Sequence, residues 1–148
     1  MTTVLAVMQN QWFRDPESVR RIMARRPQMR RQLIARFLFA GCRSGRVLKR
    51  AFGARINEIV WEEASPEIGG KPSDCFRADL AHLRAVLDDV KPDIVIGFGK
   101  IACDALVGLV PGDKLLIAPH PTARSSGTPW RLSGVAACLD SMLERRNE

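Results

Sequence analysis

The chain has 148 residues, of which 46% are hydrophobic and 26% are charged, and it carries a formal net charge of +7. This length suits one domain with a sizeable core, and the mixed composition excludes a disordered or fibrous chain. No run approaches the roughly 18 to 20 apolar residues of a membrane span, and no cleavable leader opens the chain. We therefore expect a single domain over residues 1–148 of a cytoplasmic protein (nucleoid-associated if bacterial), without a signal peptide or a membrane partner.

The first part of the chain predicts a buried strand followed by helices. Val4–Met8 is continuously apolar, which is typical of a strand covered on both faces. Asp15 is placed to cap a helix with Pro16 at its first position, and that helix should end near Arg26, which precedes a proline. The next two helices are predicted to turn apolar residues inward: Met29, Leu33, Ile34, Phe37 and Leu38 in one, and Val47, Leu48, Ala51 and Phe52 in the other, which Gly53 closes.

Residues 18–57, here called the basic tract, contain no acidic residue. A stretch of one charge sign this long builds a field that attracts polyanions, and arginine suits bidentate phosphate contacts. Nucleic acid is the predicted partner, with Arg25, Arg26, Arg30 and Arg31 as DNA contacts. An anionic membrane surface and a merely solvated basic face are the alternatives. The basic residues are Arg20, Arg21, Arg25, Arg26, Arg30, Arg31, Arg36, Arg43, Arg46, Lys49, Arg50 and Arg55.

The second part of the chain alternates strands and helices. Strands are predicted over residues 56–61, 93–99 and 114–118, and helices are predicted to begin at Ser73, after the 93–99 strand and near Trp130. Strands separated by helices connect as parallel neighbours. We therefore predict an α/β fold, a three-layer α/β/α sandwich around a central four-stranded, mostly parallel sheet.

The cysteines do not predict a metal site. They lie far apart without a Cys-x-x-Cys pair, and only His82 and His120 are present to complete a ligand set. We predict free thiols, no bound metal and no cofactor. The cysteines are Cys42, Cys75, Cys103 and Cys138.

Two of the predicted strands end at polar groups. The first is followed by Gln9, Asn10 and Gln11, and the last by Pro119-His120-Pro121. In an open parallel sheet, residues just beyond the carboxyl ends of neighbouring strands face one shared crevice. We therefore predict that the amides and the imidazole converge in one site.

These two segments also carry a resemblance to a known family. The run from Ala118 to Ser125 resembles the His-Pro-Ser motif of the uracil-DNA glycosylase superfamily. The run from Met8 to Trp12 resembles its first motif, Gly-Gln-Asp-Pro-Tyr, in register, and the intervening segments follow in the family's order. The resemblance implies the family's fold and its activity in DNA repair: base flipping, then hydrolysis of the N-glycosidic bond of uracil or a related damaged base. We expect a monomer that binds uracil-containing or damaged DNA.

The resemblance implies two catalytic residues, Asn10 and His120. His120 matches the histidine that donates a hydrogen bond to the pyrimidine O2 as negative charge develops there. Asn10 stands where the family commonly has an acid; an amide can orient water but cannot take its proton. Other branches of the superfamily have Asn at this place.

Further roles follow from the resemblance. Gln9 would hydrogen-bond the base, Trp12 would crowd its C5 position, Phe13 would stack on it, and Asn57 would read its N3–H and O4. Arg124 matches the place of a wedge residue and Ser125 that of a phosphate contact. Met8 and Gln11 depart from the glycine and proline of the first motif, so the backbone need not approach the substrate as closely.

The sequence leaves three functions open. The first is a monofunctional glycosylase, because no lysine matches a place for a Schiff base with the sugar. The second is a nucleic-acid-binding protein of the same fold with weak or lost catalysis. The third is a nucleotide-binding protein in which residues 97–100, at the start of a helix, hold phosphate.

Overall fold

The computed structural model describes residues 1–124 and 126–148, and its centre is a four-stranded sheet. The strand order is β3-β1-β5-β6, and every neighbouring pair is parallel. This confirms the α/β class and the four-stranded sheet, which is entirely rather than mostly parallel. The strands are β1 (Val4–Met8), β3 (Ile59–Glu63), β5 (Ile94–Phe98) and β6 (Leu115–Ala118).

Helices cover both faces of the sheet. On one face, Ala6 of β1 packs in a core with residues of α1, α2, α3 and α6. On the other face, Leu5 packs with residues of α4 and α5. All five residues of β1 are buried, as its uninterrupted apolar run predicts. The helices are α1 (Pro16–Met23), α2 (Pro27–Leu38), α3 (Arg43–Phe52), α4 (Leu80–Val90), α5 (Lys100–Val107) and α6 (Thr128–Arg146).

The strand predicted from residue 56 begins three residues later. Residues Gly53–Glu58 form a 3₁₀ helix, and the carbonyl of Ile56 accepts a hydrogen bond of 3.0 Å from Trp61 Nε1. The strand consequently runs on into Glu62 and Glu63, both of which are buried. A hydrophobic pattern does not predict two consecutive buried carboxyl groups, because charged residues are rarely buried unless they are paired.

The helix predicted from Ser73 begins at Leu80. Asp79 is its N-cap and accepts a hydrogen bond of 3.0 Å from the backbone N–H of His82. Between β4 and this cap runs a loop over residues 70–79. Asp74 stabilises it by accepting hydrogen bonds from the backbone N–H groups of Gly70 and Lys71.

Two smaller differences concern helix α2 and a second sheet. Met29, predicted to face inward, is 43% exposed, and Arg31 takes the buried position on that face together with Ile34 and Leu38. Strands β2 (Gln11–Trp12) and β4 (Ile68–Gly69) form a short parallel pair that the sequence did not predict. Within the described ranges, none of the helices is long and apolar enough to cross a lipid bilayer.

Candidate functional site

The order of the strands places a crevice at the carboxyl edge of the sheet. The chain passes from β1 to β3 on one side and to β5 on the other, so the loops after β1 and β5 leave in opposite directions. Such a switch point is where open α/β sheets bind ligands. The loop after β1 carries Gln9 and Asn10, and the loop after β5 begins with Gly99.

His120 lies at the same edge, two residues after β6. Its Nδ1 accepts hydrogen bonds from the backbone N–H of Thr122 at 3.2 Å and lies 2.9 Å from the Thr122 hydroxyl. Because a backbone N–H only donates, Nδ1 is the unprotonated nitrogen and Nε2 carries the hydrogen. Burial lowers the pKa of His120 from its ordinary value of 6.5. The imidazole is therefore a neutral hydrogen-bond donor at neutral pH.

Gly99 supports His120 from the neighbouring strand. A Cβ at residue 99 would lie 3.3 Å from the Cβ of His120, and Gly99 has a φ of +87°, which side chains rarely adopt. Its N–H donates a hydrogen bond of 2.9 Å to the carbonyl of Ala118, which ties the ends of β5 and β6 together. Sequence analysis mentioned this glycine only as a phosphate binder, not as a support for the histidine.

Asn10 uses most of its hydrogen-bonding capacity within the protein. Its Nδ2 donates to the carbonyls of Gln11 at 3.2 Å and Asp74 at 3.0 Å, and its Oδ1 accepts from the N–H of Phe76 at 3.2 Å. These bonds fasten the 70–79 loop to the end of β1. An amide oxygen has two lone pairs, so one acceptor position on Oδ1 is left for a ligand or a water molecule.

Asn10 and His120 therefore lie at one edge of the sheet with Gly99 between them. Their strands, β1 and β6, are separated by β5. Because neighbouring strands are about 4.8 Å apart, the two loops leave the sheet about 10 Å from each other. The amide and the imidazole thus lie on either side of the end of β5.

Unsatisfied polar atoms also concentrate at this edge. Three buried side-chain atoms have no hydrogen-bond partner in the described part of the chain: Gln9 Nε2, Gln11 Oε1 and Glu63 Oε2. Gln9 and Gln11 follow β1, and Glu63 is the register partner of Met8 on β3. The backbone of Gln9 also accepts a hydrogen bond of 3.0 Å from Ser65. Buried polar groups are normally paired, so orphaned atoms gathered in one place are typical of a binding site.

Glu63 is a site residue that the sequence analysis missed. Its side chain is buried, and burial, then the nearby Glu62 carboxylate, raise its pKa well above the ordinary value of 4.5 despite the opposing charge of Arg30. A carboxyl group that stays protonated is a hydrogen-bond donor as well as an acceptor. The only available signal was a pair of acids closing an otherwise apolar strand.

The aromatic residues after β1 have different surroundings. Trp12 is in β2 and is 43% exposed. Phe13 packs edge to face on Phe37 of α2, with ring centroids 5.0 Å apart, and contacts the core. The Phe13 ring is thus occupied by packing, whereas the Trp12 ring is available to a ligand.

Asn57 lies away from the crevice, which corrects its assignment as a base-reading residue. It is exposed in the 3₁₀ helix that precedes β3, at the amino edge of the sheet. The opposite edge is one strand length away, about 16 Å for five residues at about 3.3 Å each. Asn57 therefore does not reach a base held beside His120.

Two of the four arginines predicted to contact DNA are committed to internal ion pairs. Arg30 binds the Glu62 carboxylate at 2.9 Å, and Arg31, which is buried, contacts Asp89 and lies 3.8 Å from Glu62. Counting charges within the basic tract missed these acids because β3 and α4 supply them. Arg25 and Arg26 are exposed between α1 and α2 and remain candidates.

The loop after His120 holds the remaining predicted contacts. Arg124 is exposed. Ser125, predicted to contact phosphate, lies outside the described residues. In the rest of the chain, no group of His, Cys, Asp and Glu is arranged to hold a metal ion.

Comparison with known proteins adds no family assignment. No family model matches the chain, and no characterised protein is significantly similar to it in sequence.

Proposed function

We propose that the protein removes uracil or a related damaged base from DNA by hydrolysing the N-glycosidic bond. The observation that carries the proposal is the state of His120, a neutral imidazole at the crevice whose Nδ1 is occupied by Thr122 and whose Nε2–H is left to donate. Cleavage of the bond leaves negative charge on the base. A donor already oriented toward that charge stabilises the transition state.

In the proposed reaction, the target nucleotide leaves the duplex and enters the crevice. The bond from C1′ to the base nitrogen breaks, and its electron pair goes to the base, whose O2 accepts a hydrogen bond from His120 Nε2. A water molecule adds its oxygen to C1′ and releases a proton to solvent, from which the base is protonated. Asn10 offers that water one free acceptor position on Oδ1 and takes no proton, so we expect slow hydrolysis.

Lys100 supports a reaction that stops at the abasic site. This lysine directly follows Gly99, but its ammonium binds Asp104 at 2.8 Å. This hydrogen bond, together with the Asp104 charge, raises the pKa of Lys100 above 10.5. A protonated amine does not attack the sugar, so no Schiff base is expected.

The second candidate is a nucleic-acid-binding protein of this fold without catalysis. The hydrogen bonds of Asn10 to the 70–79 loop favour it, because they give the amide a purely structural role. DNA binding with no base release would distinguish this candidate from the first.

The test is incubation of the protein with oligonucleotides that contain uracil, thymine or a panel of damaged bases, followed by alkali. Strand breaks at uracil after alkali support hydrolysis. A covalent adduct with DNA after borohydride treatment would contradict the monofunctional reaction, and intact strands throughout would favour the binding protein.

A further inference from the structure

A cavity of about 280 Å³ lies between α3 and α6, apart from the crevice. Arg43, Arg46 and Arg50 line it from α3. Their spacing of three and four residues puts all three on one face of the helix. Val47 and Leu132 provide apolar walls. The cavity thus combines cationic groups with apolar surface.

The charge of this cavity is not balanced by the protein. None of its lining residues is acidic, and the nearest acids along these helices, Glu58 and Asp140, are bound to Arg55 at 3.1 and 2.7 Å. Arg46 donates one hydrogen bond of 2.6 Å to the carbonyl of Gly41 and retains further N–H donors. Three guanidinium groups around one cavity repel each other unless an anion lies between them.

Helix α6 adds backbone donors to the same cavity. Its second residue, Pro129, lines the cavity, and its N-cap Gly127 makes no side-chain capping hydrogen bond. The N–H groups and the dipole of a 19-residue helix at this end favour negative charge. Both the arginines and the helix therefore select an anion.

The cavity is connected to the candidate site. Helix α6 begins at the carboxyl edge of the sheet, and the loop before it starts at His120. Within this loop Ala123 donates a hydrogen bond of 3.0 Å to the His120 carbonyl, and the Thr128 hydroxyl donates one of 3.3 Å to the Ala123 carbonyl. The loop thus links the imidazole to the first turn of α6.

We infer that the cavity between α3 and α6 binds a phosphate group and its adjoining nucleotide in the DNA strand whose target base occupies the crevice. This inference rests on the proposed function, since it takes DNA as the ligand. The arginines bind the phosphate through paired N–H groups, and the apolar walls contact the sugar or the base. A single-stranded flank fits better than a duplex, because only an unpaired nucleotide enters a cavity of this size.

The test measures binding of fluorescent single-stranded oligonucleotides at several salt concentrations. The triple variant Arg43→Gln, Arg46→Gln, Arg50→Gln should weaken binding at least tenfold and reduce the salt slope by about 2, from about 0.7 per lost contact on single strands. The control variant Arg84→Gln, Lys91→Gln, Lys114→Gln removes the same charge from exposed positions outside the cavity. It should change affinity and slope much less.

A second variant keeps the charge and blocks the space. Ser133 lines the cavity from α6 and is exposed, so Ser133→Phe should fill it without disturbing the core. We expect it to weaken oligonucleotide binding at an unchanged melting temperature. Equal effects of the two triple variants, no effect of Ser133→Phe, or arginine-dependent binding to anionic vesicles but not to oligonucleotides would each overturn the inference.

The outcome separates this inference from the proposed hydrolysis. Loss of oligonucleotide binding in the cavity variants of a protein that never releases uracil would support the cavity and contradict hydrolysis. Uracil release by the natural sequence at a rate that the cavity variants leave unchanged on long substrates would do the reverse.

Discussion

The Cβ of His120 packs against the backbone of Gly99, so closely that a side chain at residue 99 would meet it at 3.3 Å. The contact holds the imidazole from the end of the adjacent strand. It also makes a residue that takes no part in the chemistry necessary for the position of one that does.

The first prediction concerns this contact. Gly99→Ala combines the strain of a positive φ with the close approach to His120, so it should lower the free energy of unfolding by about 1–3 kcal/mol and also slow uracil release. Gly53→Ala is the matched control, because Gly53 has a φ of +60° and nothing within 4 Å of its Cβ position. It should cost similar stability and leave the rate unchanged; equal rates for both variants would refute the contact's role.

The second prediction is the pH dependence due to His120. Burial lowers its pKa below 6.5 in the folded protein, so the unfolded chain takes up the proton first as the pH falls. The stabilising contribution is complete above pH 6.5 and is lost as the pH falls through the lowered pKa. Urea unfolding of the natural sequence and His120→Gln between pH 5 and 8 should show a steeper loss in the former, while His82 titrates in both. An NMR pKa above 6.5 for His120 would contradict this.

The third prediction has the opposite sign and concerns Glu63. Its raised pKa means that the folded protein holds this proton more tightly than the unfolded chain. The contribution is complete below pH 4.5 and is lost as the pH rises toward the raised pKa. Glu63→Gln should flatten the decline in unfolding free energy over that window, and Glu67→Gln, an exposed control, should not. An unchanged pH profile in Glu63→Gln would mean that Glu63 is ionised when buried.

The fourth prediction tests the correction to the basic tract. Glu62→Ala leaves Arg30 and Arg31 without their buried partner and should destabilise the protein by about 3–5 kcal/mol. Glu58→Ala removes an exposed partner of Arg55 and should cost no more than about 1 kcal/mol. The check is the urea midpoint of each variant. Similar costs would show that the Glu62 pairs contribute little.

The sequence predicted those parts of the fold that follow from uninterrupted apolar runs. Strands β1 and β5 were predicted almost to the residue, because a strand buried on both faces shows its length directly in the sequence. The start of β3 was misplaced because Ile56 continues the apolar run while its backbone already belongs to a 3₁₀ helix. The start of α4 was misplaced because Ser73 and Asp79 are both capable caps, and only tertiary bonds to Asp74 and Asn10 decide between them.

The candidate site was predictable only in outline. The topology of parallel strands was enough to place Asn10 and His120 at one edge. Long-range partners decided the rest: Glu62 is remote in sequence from Arg30, and Asp74 from Asn10. Such pairings carry no local pattern, which is why Arg30 and Arg31 were taken for DNA contacts.

The most direct test is the single-turnover release of free uracil from a uracil-containing oligonucleotide, compared between the natural sequence and His120→Ala, with DNA affinity measured on the same samples. We predict that the natural sequence releases uracil and that His120→Ala loses at least 100-fold in rate, of the order found when one transition-state donor is removed, at nearly unchanged affinity. Equal rates in the two proteins, or no release by the natural sequence, would contradict a catalytic His120.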